Sequence, residues 1–271
     1  MKGVILPIML SLTGMMFFTG CSIIDGNTGS NGADSICVKA KPINVVVYLD
    51  MSDRLLKQTD DCEMIWAIAK TLFPTKSPNK NKNKLQCVVY PNPNLSNDLS
   101  DLKIDLRSMV GMQKVGYVWK LDSGTVFLPK LREVYSQALQ NKNWFGSDEW
   151  GFFDNEVNNY LEPDYRNVFI VITDGYIYDV NNKGSEEKER QHKYRRMHKC
   201  LDDPEGQIEP VSAKFNAPFE VISLQLEKSD YDRYKNLVSK RECWFDSMGA
   251  KPYSISKDDQ SKLQRIEKIL K

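Results

Sequence analysis

Two aspartates close apolar runs in the same manner. Asp50 follows Ile43–Leu49 and is itself followed by Met51-Ser52-Asp53-Arg54; Asp174 follows Val168–Ile172 and Thr173, and precedes Gly175. Carboxylates with hydroxyls one or two residues away supply hard oxygen donors from a single turn. Such donors suit Mg²⁺, Mn²⁺ or Ca²⁺ and do not suit softer metals. Zinc is disfavoured, because the only histidines, His192 and His198, lie in a charged stretch and no C-x-x-C pair occurs. Nucleophilic hydrolysis lacks its parts as well: there is no Gly-x-Ser-x-Gly elbow and no histidine close in sequence to either motif. The bland reading of Asp50 and Asp174 is that of strand-end acids with no ligand.

The runs that carry these acids read as strands. Ile43–Leu49, Gln86–Tyr90, Val168–Ile172 and Phe219–Leu224 are short, β-branched and nearly all apolar, as strands buried on both faces must be. Helical spacing separates them. Asp60 with Glu63 resembles a capping box ahead of Met64, Ile65, Ile68 and Leu72, and Pro74 ends that segment. Leu95–Met109 is amphipathic and predicts a helix, and Val115–Trp119 an edge strand. A further helix carries Leu128, Leu131, Tyr135, Ala138 and Leu139 on one face. Tyr231–Phe245 predicts another helix and Tyr253–Ile255 a last short strand. Ser256, with Asp259, caps a final helix bearing Leu263, Ile266 and Leu270. The alternation predicts an α/β fold: an open, mostly parallel central sheet with helices on both faces, in a three-layer sandwich. In such a sheet the carboxyl ends of the central strands form the ligand crevice, so Asp50 and Asp174 should share one end.

With the acids so placed, residues 43 to 256 resemble a von Willebrand factor A domain and its metal-ion-dependent adhesion site. Asp50 and Ser52 match the first two ligands of that family's Asp-x-Ser-x-Ser motif. Thr125, in Ser123-Gly124-Thr125 ahead of a helix, matches its loop threonine, and Asp174-Gly175 its last element. The resemblance implies a binding module in which a divalent cation, Mg²⁺ or else Mn²⁺ or Ca²⁺, keeps one position open for an acidic group of a partner protein. One position departs from the pattern: Arg54 stands where the second serine would be. A guanidinium cannot ligate a metal. Either Asp53 fills the vacant place, or Arg54 sits among the acids and replaces the ion, leaving a metal-free scaffold domain. An enzyme is the third alternative, since a strand-end Asp50 also resembles haloacid-dehalogenase-type phosphatases. That family wants an acid two residues on, where this chain has Ser52.

The start of the chain bears on location. Lys2 precedes an uncharged apolar run, Val4–Phe18, then Thr19-Gly20-Cys21. The run is short for a bilayer span and is flanked like a signal peptide. It resembles a bacterial lipoprotein signal, with Phe18 where an aliphatic is usual. This implies cleavage after residue 20, acylation of Cys21 and anchoring in the cell envelope, with the outer membrane as the expected site. Residues 21–40, rich in Gly, Asn and Ser, predict a flexible tether, and 41–271 the domain. Without residues 1–20, basic and acidic residues are equal at 36 each, so nothing asks for a nucleic-acid partner. Export permits disulfides among Cys37, Cys62, Cys87, Cys200 and Cys243, an odd number, with Cys87 expected as a buried thiol. Lys76–Lys84 reads as a solvated loop, and the charged stretch 183–200 as a solvated helix. Trp144-Phe145, Trp150 and Phe152-Phe153 are either an interface or core.

Overall fold

The computed structural model describes residues 41–51, 57–73, 82–91, 103–105, 127–140, 147–176, 206–226 and 231–271. All lie in one compact unit, Ala40–Lys271. Among them, six strands form one sheet: β1 (Ile43–Leu49), β2 (Lys84–Val88), β3 (Lys103–Asp105), β4 (Arg166–Ile172), β5 (Phe219–Leu226) and β6 (Lys251–Ser256). Their order is β3-β2-β1-β4-β5-β6. Five are mutually parallel, and β3 runs antiparallel against β2. β1 is thus the central partner, flanked by β2 on one side and β4 on the other.

Side-chain alternation explains why these strands are apolar throughout. Successive residues face opposite sides of a sheet. Val45, Val47 and Leu49 of β1 and Val168, Ile170 and Ile172 of β4 enter one core cluster; Val46, Tyr48, Phe169 and Val171 enter the other. The first cluster is covered by α1 (Gln58–Leu72), α2 (Phe127–Gln140) and α5 (Lys262–Leu270), the second by α3 (Glu149–Asn155) and α4 (Tyr231–Ser247). Each such side chain contributes about 1.5–3 kcal/mol on full burial. The three-layer sandwich follows from that double-sided demand.

Several sequence expectations need correction. No side chain caps α1, whose N-cap is Lys57, and Asp60 lies inside its first turn. Ser256 ends β6, and its Oγ accepts from the Asp258 amide; Ser261 is the N-cap of α5, with Asp259 Oδ1 accepting from Ser261 N at 2.8 Å. Within the segment 95–109, residues Lys103–Asp105 form an edge strand rather than helix, because the backbone groups on the outer side of β2 recruit them. The rest of that segment and Val115–Trp119 lie outside the described residues. Leu139 and Leu263 are exposed although placed on apolar faces, whereas Leu131, Tyr135 and Ala138 are buried. Lys84 is buried, paired with Glu162 and set over the Tyr165 ring, so the solvated loop stops short of it. Cys87 is a buried free thiol as expected; Cys62 is buried and Cys243 exposed, both free.

Candidate functional site

The strand order places a switch point between β1 and β4. From β1 the chain moves outward through β2 to β3, then returns to the other side of β1 with β4 and continues to β6. Ligand crevices in open α/β sheets form outside the carboxyl ends at this point. Leu49 pairs in register with Ile172, so Asp50 and Thr173 emerge side by side. The ladder runs one step further, with Asp50 N donating to Ile172 O and Thr173 N to Leu224 O, each at 3.0 Å.

Side chains then knit the two turns. Thr173 Oγ1 donates to Asp50 Oδ2 at 2.9 Å and accepts from Gly175 N at 3.0 Å. Asp50 and Thr173 are buried, while Asp174 is half-exposed with its Oδ1 accepting from Tyr176 N at 2.9 Å. Gly175 has φ +105, and a Cβ there would lie 2.7 Å from Leu237 Cδ2, so both backbone and packing require glycine. Beside Asp174 opens a cleft of about 760 Å³, walled by Lys57, Asp60, Glu63, Gln225 and Lys257 among others. Gln225 occupies a bulge at the end of β5, at φ 72.

A second group of polar side chains, unforeseen from sequence, lies under these turns. Ser147, Asp148 and Glu149 are each 1% exposed at the start of α3. Ser147 Oγ accepts from Met51 N at 2.7 Å and donates to Leu49 O at 3.2 Å, so it grips the backbone on both sides of Asp50. Asp148 caps α3 by accepting from Gly151 N at 2.7 Å, and its own amide donates to Tyr90 O. Glu149 forms a two-point ion pair with Arg241 of α4, at 2.5 and 3.0 Å. Burial foremost, then the nearby charges of Asp50, Glu149 and Asp148, raises the Tyr48 phenol well above its ordinary pKa. The sequence signal for this group is Ser147-Asp148-Glu149 as a helix start, with Asp148 a favourable N-cap residue beside a run of aromatics. Phe152 and Phe153 are fully buried core, whereas Trp150 is only partly buried against that core, its Nε1 donating to Glu209 O at 2.8 Å. Trp144 and Phe145 lie outside the described residues.

Of the expected ligands, Asp50 and Asp174 are brought to one end of the sheet and joined through Thr173. Ser52, Asp53, Arg54 and Thr125 lie outside the described residues, as do Cys21 and the charged stretch 183–200. Among the described residues, no cluster of three or more His, Cys, Asp or Glu could by itself hold a metal ion. The donors that are described, the Asp50 and Asp174 carboxylates and the Thr173 hydroxyl, are all hard oxygens, so their chemistry fits a divalent cation of the Mg²⁺ type. No helix among the described residues is long and apolar enough to cross a membrane.

No family model and no curated protein matches the chain. Solved structures do. The open conformation of the pilus adhesin SpaC from Lactobacillus rhamnosus GG aligns at TM-score 0.40 and 12% identity, over 85% of this chain and 30% of the adhesin chain. A second crystal structure of that adhesin aligns at TM-score 0.41 and 10% identity, over 85% of this chain and 31% of the adhesin chain. Proximal thread matrix protein 1 of the mussel byssus gives TM-score 0.33 and 11% identity, over 85% and 47%. The chain thus spans about a third of the adhesin's length and about half of the thread protein's.

Proposed function

We propose that this chain is an envelope-tethered binding module of von Willebrand factor A type, which holds a protein partner through a divalent cation at the carboxyl ends of β1 and β4. The observation that carries the reading is the pairing of Asp50 with the Thr173-Asp174-Gly175 turn at the sheet's switch point. Asp50, Ser52, Thr125 and Asp174 would hold the ion, with Asp53 in the place of the second serine. The ion would supply a Lewis-acidic position for a partner's carboxylate. Mg²⁺ is the first choice, with Mn²⁺ and Ca²⁺ as alternatives. Binding is preferred to phosphoryl chemistry because Ser52, not an acid, stands two residues after Asp50. A second reading, the metal-free scaffold, is favoured by Arg54, whose guanidinium can neutralise the same acids.

A melting experiment on the full-length protein in mild detergent separates the two. A ligand at a hundredfold excess over its Kd stabilises the folded state by about 2.7 kcal/mol, and each kcal/mol moves the Tm of a domain this size by about 2–4 °C. Mg²⁺ or Mn²⁺ should therefore raise the Tm by about 5–10 °C at saturation. Asp50→Ala or Thr125→Ala should abolish the response, and Arg54→Ser should strengthen it. A wild type that ignores metal while Arg54→Ser responds would establish the scaffold. If neither responds, the cation reading is wrong.

A further inference from the structure

The strand-end turns carrying Asp50 and Asp174 are bridged twice. The direct bridge is the Thr173–Asp50 hydrogen bond. The indirect one runs through buried groups at the start of α3 and on α4. Ser147 Oγ holds Met51 N and Leu49 O, the backbone atoms flanking Asp50. Two residues along, Glu149 receives both terminal nitrogens of Arg241. Arg241 Nη1 then donates to Gly175 O at 3.2 Å, next to Asp174, and its Nε donates to Ser223 Oγ of β5 at 3.2 Å. One helical turn before Arg241, Leu237 packs where a Gly175 side chain would be. The short segment between Ser147 and Glu149 is fixed in its turn by the Asp148 cap and by the Asp148 amide on Tyr90 O.

We propose that Ser147, Glu149 and Arg241 are positioning residues: a buried polar bracket that sets the Asp174 turn against the Asp50 turn. Arg241 is fully buried and Glu149 is 1% exposed. Taking both charges out of water offsets much of their attraction, so an apolar pair of similar volume would hold the core at least as well. What an apolar pair cannot do is direct a hydrogen bond to Gly175 O while staying tied, through the α3 start, to the backbone around Asp50. For cation binding, the inference rests on the functional reading above; the bracket itself does not.

Hydrogen exchange on the full-length chain tests the bracket without metal. Two variants are compared with wild type: Ser147→Ala, a change of one oxygen that leaves the core side chains in place, and the double variant Glu149→Met/Arg241→Met, which leaves neither charge of the pair without its partner. The expected result is crossed. Ser147→Ala should speed exchange at the Gly175 amide, and the double variant should speed it at Asp50 and Met51, in each case tenfold or more. The mid-strand amides of Val46 and Phe169 should keep their protection. If each variant loosens only its own end, no bracket exists and the inference is overturned. A second arm reads the half-saturating Mg²⁺ concentration from thermal melts, which should rise at least tenfold in both variants. Leu270→Ala serves as control, because its neighbour Ile269 accepts from Arg166 at the opposite end of β4; it should lower the Tm without moving that concentration. Unchanged metal affinity in both bracket variants would overturn the positioning role. A wild type without any metal response would sink the cation reading alone, and the exchange result would still decide the bracket.

Discussion

Gly175 carries two constraints, a left-handed φ and the Leu237 side chain where its Cβ would lie; it follows the half-buried Asp174, and its own carbonyl accepts from Arg241. Gly175→Ala should therefore lower stability by about 1–3 kcal/mol, measured by denaturant melts, and should weaken any metal response more than Gly249→Ala. Gly249 also has positive φ but has open space around it. At this scale the sequence spoke clearly where chemistry and strand end coincide. Asp50 and Asp174 stand out because an acid abruptly ends an apolar run. Ser147, Glu149 and Arg241 do not, because nothing in a linear pattern distinguishes a buried arginine from a solvated one: Arg241 sits amid Lys240 and Glu242 in a helix that reads as polar. Its partner Glu149 lies 92 residues away. Only the fold makes them a pair.

Element boundaries followed a similar logic. Strands buried on both faces were legible from composition, and β1, β4 and β5 lie within a few residues of their expected spans. Helix starts were less so, since a capping motif competes with the geometry of the incoming loop. At α5 the acid three residues beyond Ser256 does serve the helix entry, but from Asp259 toward Ser261 and Arg265 rather than from Ser256. Arg265 foremost, then Ser261, lowers the Asp259 carboxyl from its ordinary 3.8 to about 2. The sign follows: a depressed folded pKa means stabilisation present above about pH 4 and lost as pH falls through about 2. A carboxyl titration by NMR should place Asp259 at about 2. Arg265→Met should return it toward 3.8, and a wild-type midpoint near 3.8 would refute the contact.

The whole molecule was legible as a class: alternating patterns predicted an open, mostly parallel sheet with helices on both faces, and the sheet has that form. What the pattern could not give was the edge. Lys103–Asp105 is three residues long, too short to carry a period, and its strand identity comes from β2 alone. Attachment is a property of the full chain, expected from the residues before the domain. Cys21→Ala should move the protein from the membrane to the soluble fraction and abolish labelling by a fatty-acid probe. Unchanged membrane association would rule out the acyl anchor.

Asp50 and Thr173 meet across 123 residues of chain. Pairing of β1 with β2 closes a loop of ordinary length, whereas pairing of β1 with β4 must wait for a far more distant partner, and closure over such separations is slow. A product that stops before Arg166 would keep Asp50 and could still form the β1–β2 pair. It would lack the strand that places Asp174, and β1 would present an open edge. Partial chains would thus lack the proposed site and carry an edge open to association. If the proposed site binds a ligand, that binding would certify that synthesis and folding have both run past β4.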